Sequence, residues 1–314
     1  MARRDPLNGK LVTIVGGSGF LGDHVAQALL FRGARVRIAS RHPERAFRLK
    51  PLAQLGHIQF ARCDATRQEA VTGALTGSDA VVNLVGTFVG DVMATICGSA
   101  RNIAEAAAAA GCEALVHVSA IGADAASPAD YARAKAESEA AVLAAFPSAT
   151  ILRPGVLFGE DDNFVQMFAG LIARLPVLPV FAPSAELQPL YVDDAAAAVA
   201  AALADPAKHG GKRHEIAGPE SVTMLELNRR IAASQNRKRG FIEMPDQLSA
   251  LFAALPGTPM KPDQWTLLKN GNRPSGTLPG LKELGVTPRP LSLFLDRWMT
   301  RHRKYGRFNE SIAS

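Results

Sequence analysis

Tyr131 and Lys135, in DYARAKAESE (130–139), lie four residues apart, a spacing that puts both side chains on one face of a helix. A cation beside a phenol lowers its pKa from the usual value of about 10, and a phenol so tuned exchanges a proton near neutral pH. The pair fits three readings: an acid/base catalyst, a grip on a cofactor, or a helix surface. A second stretch, VGGSGFLG (15–22), spaces Gly16, Gly19 and Gly22 as G-x-x-G-x-x-G. Glycines there permit a tight turn, let backbone N–H groups approach a pyrophosphate and let a helix pack on a strand. Ser18, Phe20 and Leu21 belong to the same expected dinucleotide contact. No G-K-[ST] follows, which disfavours a nucleoside-triphosphate loop.

Such residues need elements to hold them, and the first half of the chain supplies a regular alternation. KLVTIV (10–15), RVRIA (35–39), HIQFARC (57–63), AVVNLVG (80–86), ALVHVS (114–119) and ATILRP (149–154) read as strands. Between them FLGDHVAQALLFRG (20–33), PERAFRLKPLAQL (43–55), TRQEAVTGAL (66–75), 91–110 and the Tyr131 segment read as helices. The order predicts an α/β fold, a Rossmann-type doubly wound parallel sheet. After residue 154 the rhythm changes to proline-punctuated apolar loops and short helices, with HEIAGP (214–219) a further strand. The expected division is a dinucleotide-binding domain over 1–154 and a smaller C-terminal lobe over 155–314, interleaved with the first and lying over the sheet's carboxyl edge, where ligands of such folds bind.

The end of the second strand separates the nicotinamide cofactors, since a carboxylate there suits a ribose hydroxyl and an arginine suits a 2′-phosphate. Here it reads Ala39-Ser40-Arg41, with no carboxylate until Glu44. This favours NADP(H) over NAD(H), with Ser40 and Arg41 at the phosphate; the plainer reading of Arg41 is an exposed loop residue. Asp64, after the third strand, with Ala65 beside it, is placed to meet adenine or to cap the helix that follows.

Composition narrows the field. With 47% hydrophobic and 20% charged residues the chain is built to fold rather than to stay disordered. Cys63, Cys97 and Cys112 are odd in number and widely spaced, which argues against a disulfide framework and for a reducing compartment. No signal-peptide pattern and no window of about 18 apolar residues is present. The seven histidines show no metal-ligand spacing, and His117 alternates within a strand as a packed residue does, so no metal is expected. Asp161, Asp162, Asp193 and Asp194 stand at helix starts and read as caps. The net charge of +6 clusters in NRKRG (236–240) and RWMTRHRKYGR (297–307), patches suited to phosphates, anionic lipid, an acidic partner or plain solvation. Few aromatics and no reader motif argue against nucleic acid. Leu291, Phe294, Leu295, Trp298 and Met299, at helical spacing before Arg301, Arg303, Lys304 and Arg307, make either a docking helix or a terminal helix packed on its own domain, and LPVLPVFAP (175–183) covers a pocket or faces lipid.

GGSGFLG, CDAT, NLVG, HVSAIGAD, YARAK, LRPGVLFGEDD and PLYVDDAA, in this order, resemble the short-chain dehydrogenase/reductase superfamily in its atypical or extended branch, over residues 10 to about 220. HVSAIGAD…YARAKAESEAAVLAAFPSATILRPGVLFGEDDNFVQMFAGLIARLPVLPVF, then QPLYVDDAAAAV, AGPES and RHRKY, resemble more narrowly the NADPH-binding accessory subunit family of respiratory complex I (NADH:ubiquinone oxidoreductase) and its bacterial relatives, to about residue 307. The superfamily resemblance implies Ser119 as hydrogen-bond partner of a substrate carbonyl or hydroxyl, Tyr131 as proton donor or acceptor, and Lys135 on the nicotinamide ribose. It also implies cofactor contacts at Leu84, Val85 and Gly86 and at Pro154 and Val156. The narrower resemblance implies NADPH held tightly in a structural or assembly role, with complex I or quinone-synthesis proteins as partners, and tips the terminal helix toward docking. It further implies a cytoplasmic protein, peripheral on the inner face of a bacterial plasma membrane. The other expectation is an active NADP-dependent oxidoreductase or epimerase using Ser119, Tyr131 and Lys135.

Overall fold

Runs of aliphatic and β-branched residues four to six long become strands β1 (Leu11–Val15), β2 (Arg35–Ser40), β3 (Ile58–Arg62), β4 (Ala80–Asn83), β5 (Ala114–Val118) and β6 (Thr150–Pro154). The computed structural model describes residues 5–255 and 260–303. RHEI adds β7 (Arg213–Ile216), giving one seven-stranded sheet in the order β7-β6-β5-β4-β1-β2-β3 with every pair parallel. β1, β4 and β5 are buried along their whole length, as central strands covered on both faces must be. The order reverses between β1 and β4, the switch point at which such sheets bind ligands beyond their carboxyl ends.

Helices α1 (Phe20–Phe31), α2 (Gln68–Leu75), α3 (Ser99–Ala109), α4 (Asp130–Ala145) and α5 (Val192–Ala204) pack in two groups, α1 with α5 and α2, α3 with α4. Alanines at Ala195, Ala196, Ala198, Ala200 and Ala202 are buried, so the alanine-rich α5 is a close-packed core helix. Two segments differ from expectation. The helix read over 43–55 is a 3-10 helix, Pro43–Leu52; Pro51 within it lacks the N–H that a continuing α-helix requires. The helix read over 91–110 begins with a π-turn, Ala94–Gly98, in which only Ile96 is buried, before α3.

The chain forms two compact units. One takes in the chain up to Pro154 together with Val192–Ile216 and Pro274–Thr287; the other takes in Gly155–Tyr191, Ala217–Arg273 and the chain from Pro288. The second unit has its own core, with Phe158, Ile172, Leu178, Leu227, Ile231 and Trp298 among its members. Leu291, Leu295, Trp298 and Met299 are all buried in that core, so this stripe of the segment packs within its own unit, while Leu293 is exposed. Arg303 donates to the Ser234 carbonyl at 3.1 Å and Arg301 pairs with Asp161; Lys304 and Arg307 lie outside the described residues. Asp162 accepts from the backbone N–H groups of Gly159 and Val165, fastening the start of helix Val165–Arg174. Among the described residues no helix is long and apolar enough to cross a membrane.

Candidate functional site

The loop between β1 and α1 is shaped by its glycines. Gly16 has φ +81°, a left-handed conformation that a side chain resists, and a Cβ there would meet the Leu84 carbonyl carbon at 3.1 Å. Gly22 sits so close to the loop that a Cβ would lie 2.4 Å from the Gly17 carbonyl oxygen. Gly19 is the N-cap of α1 and offers no side chain to the first-turn N–H groups. Gly19 is exposed and Ser18, Phe20 and Leu21 are half-buried, so the positive end of α1 opens to solvent with its donors available.

Strand β2 ends with Ser40, whose buried hydroxyl has no hydrogen-bond partner within the protein, followed by exposed Arg41. Asp64 accepts from the Thr66 N–H and hydroxyl at 3.1 and 2.8 Å, and these bonds, helped by the charges of Arg41 and Arg67, hold its pKa down. Its carboxylate thus fastens a turn ahead of α2. Ala65 accepts from the Asn102 side chain at 3.1 Å.

The far wall is built from β4, β5 and α4. Leu84 N–H donates to Val15 O, and Asn83 Oδ1 accepts from Val85 N–H at 3.0 Å, fixing the backbone that leads to Gly86. Lys135 is buried; its ammonium donates to Val118 O at 2.9 Å and lies 3.4 Å from Val85 O, and a Cβ on Gly86 would sit 3.8 Å from its Nζ. Burial pulls its pKa down to about 8, against the opposing charge of Glu139. Tyr131 stacks on Phe88 with centroids 4.2 Å apart, while the Lys135 ammonium stands 5.8 Å from the phenol ring centre. Burial pushes the Tyr131 phenol up to about 12. The expected lowering by Lys135 is therefore absent, because the ammonium is turned to the two carbonyls and desolvation outweighs it.

Several residues that support this wall were missed in the sequence. Ser138 Oγ donates to Lys135 O at 2.7 Å, so it must accept from His117 Nε2–H at 3.0 Å; His117 Nδ1 then accepts from Asn83 Nδ2 at 3.0 Å. Burial, reinforced by the Lys135 charge, holds this imidazole well below its usual pKa and hence neutral. Glu139, one turn beyond Lys135, is buried and takes a bidentate grip from Arg153 at 2.7 and 2.8 Å and a third bond from Arg213 at 2.8 Å. Burial pushes its pKa up, but the bonds and charge of Arg153 and the bond from Arg213 more than reverse this, while the buried Ser119 hydroxyl beside it makes no hydrogen bond within the protein. The Ser119 hydroxyl is thus sealed from solvent beside Glu139. Glu139 extends the series 131, 135, 139 on one helical face, a signal the sequence did carry.

The first unit brings together the glycine loop, Ser40, Arg41, Asp64, Ala65, Leu84–Gly86, Ser119, Tyr131, Lys135 and Pro154. Pro154 O already accepts from Ile121 N–H at 3.0 Å. Val156 belongs to the second unit, where its N–H donates to Asn272 Oδ1 at 2.6 Å and its carbonyl accepts from Leu190 N–H at 2.8 Å. Among the described residues no cluster of His, Cys, Asp and Glu is arranged to hold a metal. A glycine cradle that side chains would fill, an uncapped helix start, a partnerless buried hydroxyl beside an arginine and a buried ammonium together fit a dinucleotide.

A family described as NAD(P)H-binding matches residues 16–169. The chain is 31% identical to the mitochondrial NADH dehydrogenase (ubiquinone) 1 alpha subcomplex subunit 9 of Rattus norvegicus, covering 98% of this chain and 85% of that one. With the Arabidopsis thaliana protein of the same name it shares 30% identity over 80% of its length, spanning 64% of that relative. It is 29% identical to a ceramide reductase of Caulobacter vibrioides over 83% of this chain and 80% of that one. The NADPH-dependent quinone oxidoreductase of Escherichia coli, solved with NADPH, shares the fold with a TM-score of 0.72 at 22% identity, over 92% of this chain and 99% of that chain.

Proposed function

Because the chain belongs to the family of NADH dehydrogenase (ubiquinone) 1 alpha subcomplex subunit 9, we propose that it holds NADP(H) in a structural or assembly role, associated with complex I or quinone-synthesis proteins on the inner face of a bacterial plasma membrane. The observation that carries this reading is the contrast along α4. Lys135 is anchored with a donor to spare for a ribose, whereas the Tyr131 phenol is raised to about 12 and stacked against Phe88, a poor acid at neutral pH. In this reading the start of α1 takes the pyrophosphate, with N–H groups from Ser18, Phe20, Leu21 and Gly22; those of Gly16 and Gly19 are given to the Ala39 and Gly16 carbonyls. Ser40 and Arg41 take the 2′-phosphate, Asp64 and Ala65 border the adenine, and Leu84, Val85 and Gly86 lie along the ribose side with Lys135. Pro154 is left for the nicotinamide end. When bound, the dinucleotide supplies a transferable hydride.

Membranes solubilised gently and separated under native conditions test this directly. The chain is expected to migrate with complex I subunits or quinone-synthesis proteins and to carry NADPH that exchanges slowly with labelled NADPH added in excess. Migration alone, NADH in place of NADPH, or rapid exchange would each remove the corresponding part of the proposal.

A second reading, an NADP-dependent reductase or epimerase, draws on the Ser119, Tyr131 and Lys135 set and on the 29% identity to a ceramide reductase. Here Ser119 orients a substrate oxygen and Tyr131 moves the proton. Tyr131→Phe is expected to lower turnover of a carbonyl substrate by roughly 10²- to 10⁴-fold. Unchanged turnover in that variant would sink the enzymatic reading.

A further inference from the structure

The second unit carries a basic groove of about 580 Å³ that the dinucleotide site does not use, lined by Arg229, Asn236, Arg237, Lys238 and Arg239 over Phe241. This is the NRKRG patch of the sequence. Arg237 reaches the His302 carbonyl at 2.9 Å and Arg239 the Ile172 carbonyl at 2.7 Å, so both guanidinium groups are held in place by backbone, while Arg229 and Lys238 are exposed.

The groove leads into apolar surface. Gly240 N–H donates to Pro176 O at 3.1 Å, which starts the parallel pairing of Gly240–Glu243 with Val177–Val180. In that pairing Leu178 and Val180 are buried and Val177 and Pro179 face out; the register sets exposed Ile242 beside Pro179 on the same outward side. Helix Val165–Arg174, whose carboxyl end receives Arg239, shows Met167 and Leu171 to solvent one turn apart, followed by exposed Arg174 and Leu175. Helix Asp246–Ala254 docks through Ser249, Ala253 and a Phe252–Phe181 stack at 5.0 Å. It leaves Leu248, Leu251 and the following Leu255 more than half exposed at i, i+3 and i+7.

We propose that this face docks on a bilayer of anionic phospholipid, with the aliphatic side chains entering the interfacial layer and the basic groove meeting headgroup phosphates. Charge complementarity selects anionic lipid over a protein partner. The large hydrophobics exposed on this face are Leu, Ile, Val and Met. Apolar residues bordered by Arg174, Arg229, Arg237, Lys238 and Arg239 form the amphipathic, cationic pattern of interfacial binding. Glu243 is the exposed acid on the second strand, and Asp246 is paired with Lys269. The proposal deepens the membrane placement given above and rests on it for its setting.

The test is co-flotation of the purified full chain with vesicles of phosphatidylcholine alone or with one-third phosphatidylglycerol. The wild-type chain is expected to float with the anionic vesicles at least tenfold more than with the zwitterionic ones. Arg229→Glu with Lys238→Glu, and separately Leu248→Ser with Leu251→Ser, are each expected to lower that binding at least tenfold while leaving the melting temperature unchanged. These side chains are exposed, and melting checks that the fold survives. Absence of flotation with anionic vesicles, or flotation undiminished in both variants, overturns the proposal. So does capture of a second copy of the chain, in place of lipid, by a photo-crosslinker at position 251 in the same vesicle mixture. The assay contains no complex I, and NADPH retention by the same preparation reports on the proposed function separately.

Discussion

Replacing Lys135 with methionine is expected to weaken dinucleotide binding by roughly 10- to 100-fold, the loss of one charged hydrogen bond, with no loss of melting temperature. The second half of that expectation separates a ligand-holding group from a structural one. Burial pulls the Lys135 pKa down to about 8, which means that at pH 7 the fold bears a desolvated ammonium at a cost. Methionine fills similar space without that charge, so the variant is expected to melt at the same temperature or higher. The sign of the pH dependence follows. Below pH 8 the group is protonated and affinity is flat; above it the charge is lost and affinity falls by up to about tenfold per pH unit. Titration calorimetry with NADPH from pH 6 to 9 checks both points. A Lys135→Met variant that binds as tightly as the wild type, or keeps the wild-type slope, would remove Lys135 from the grip.

Glu139→Ala should act in the opposite way, on the fold. Its carboxylate is 1% exposed and satisfies Arg153 through two bonds and Arg213 through one. Removing it leaves the Arg153 guanidinium, 17% exposed, with Glu215 at 3.8 Å as its remaining ion partner. Breaking a buried pair on one side costs about 3–5 kcal/mol, against total stabilities of about 5–15 kcal/mol. The melting temperature of the first unit is expected to fall by about 10 °C. Glu139→Gln, which keeps hydrogen bonding without the charge, should lose less. Because the folded-state pKa of Glu139 is lowered, its contribution is complete above the ordinary glutamate range and disappears as pH falls below it. Calorimetric melting of both variants decides the matter; an unchanged melt for Glu139→Ala would show that Arg153 finds other compensation.

What was legible in the sequence is what is local. LVTIV, AVVN and ALVHV announce buried strands because a strand covered on both faces reads as a near-continuous apolar run, broken here by Thr13, Asn83 and His117, each buried with a hydrogen-bond partner. Gly16 and Gly22 are readable because a positive φ and a helix packed against a loop exclude other residues. The Glu139–Arg153–Arg213 cluster joins positions 14 and 74 residues from Glu139, and no periodicity carries that information. The same holds for the return of Val192–Ile216 and Pro274–Thr287 to the first unit. The Tyr131 pKa illustrates a different gap. Spacing correctly puts a lysine on the same helix face, but the sign of the shift depends on where the ammonium points and on how dry the phenol is, and both are set by β4, β5 and Phe88.

The hydrogens running from Asn83 through His117 and Ser138 to the Lys135 carbonyl all point one way. One end is an amide and the other a peptide oxygen, neither of which titrates. Such a chain has no terminus from which a proton can enter or leave, and reversing it would strand a donor against a donor. It works as a brace rather than a wire. That chain therefore holds the Lys135 backbone in place and carries no proton to or from the Tyr131 or Lys135 side chains.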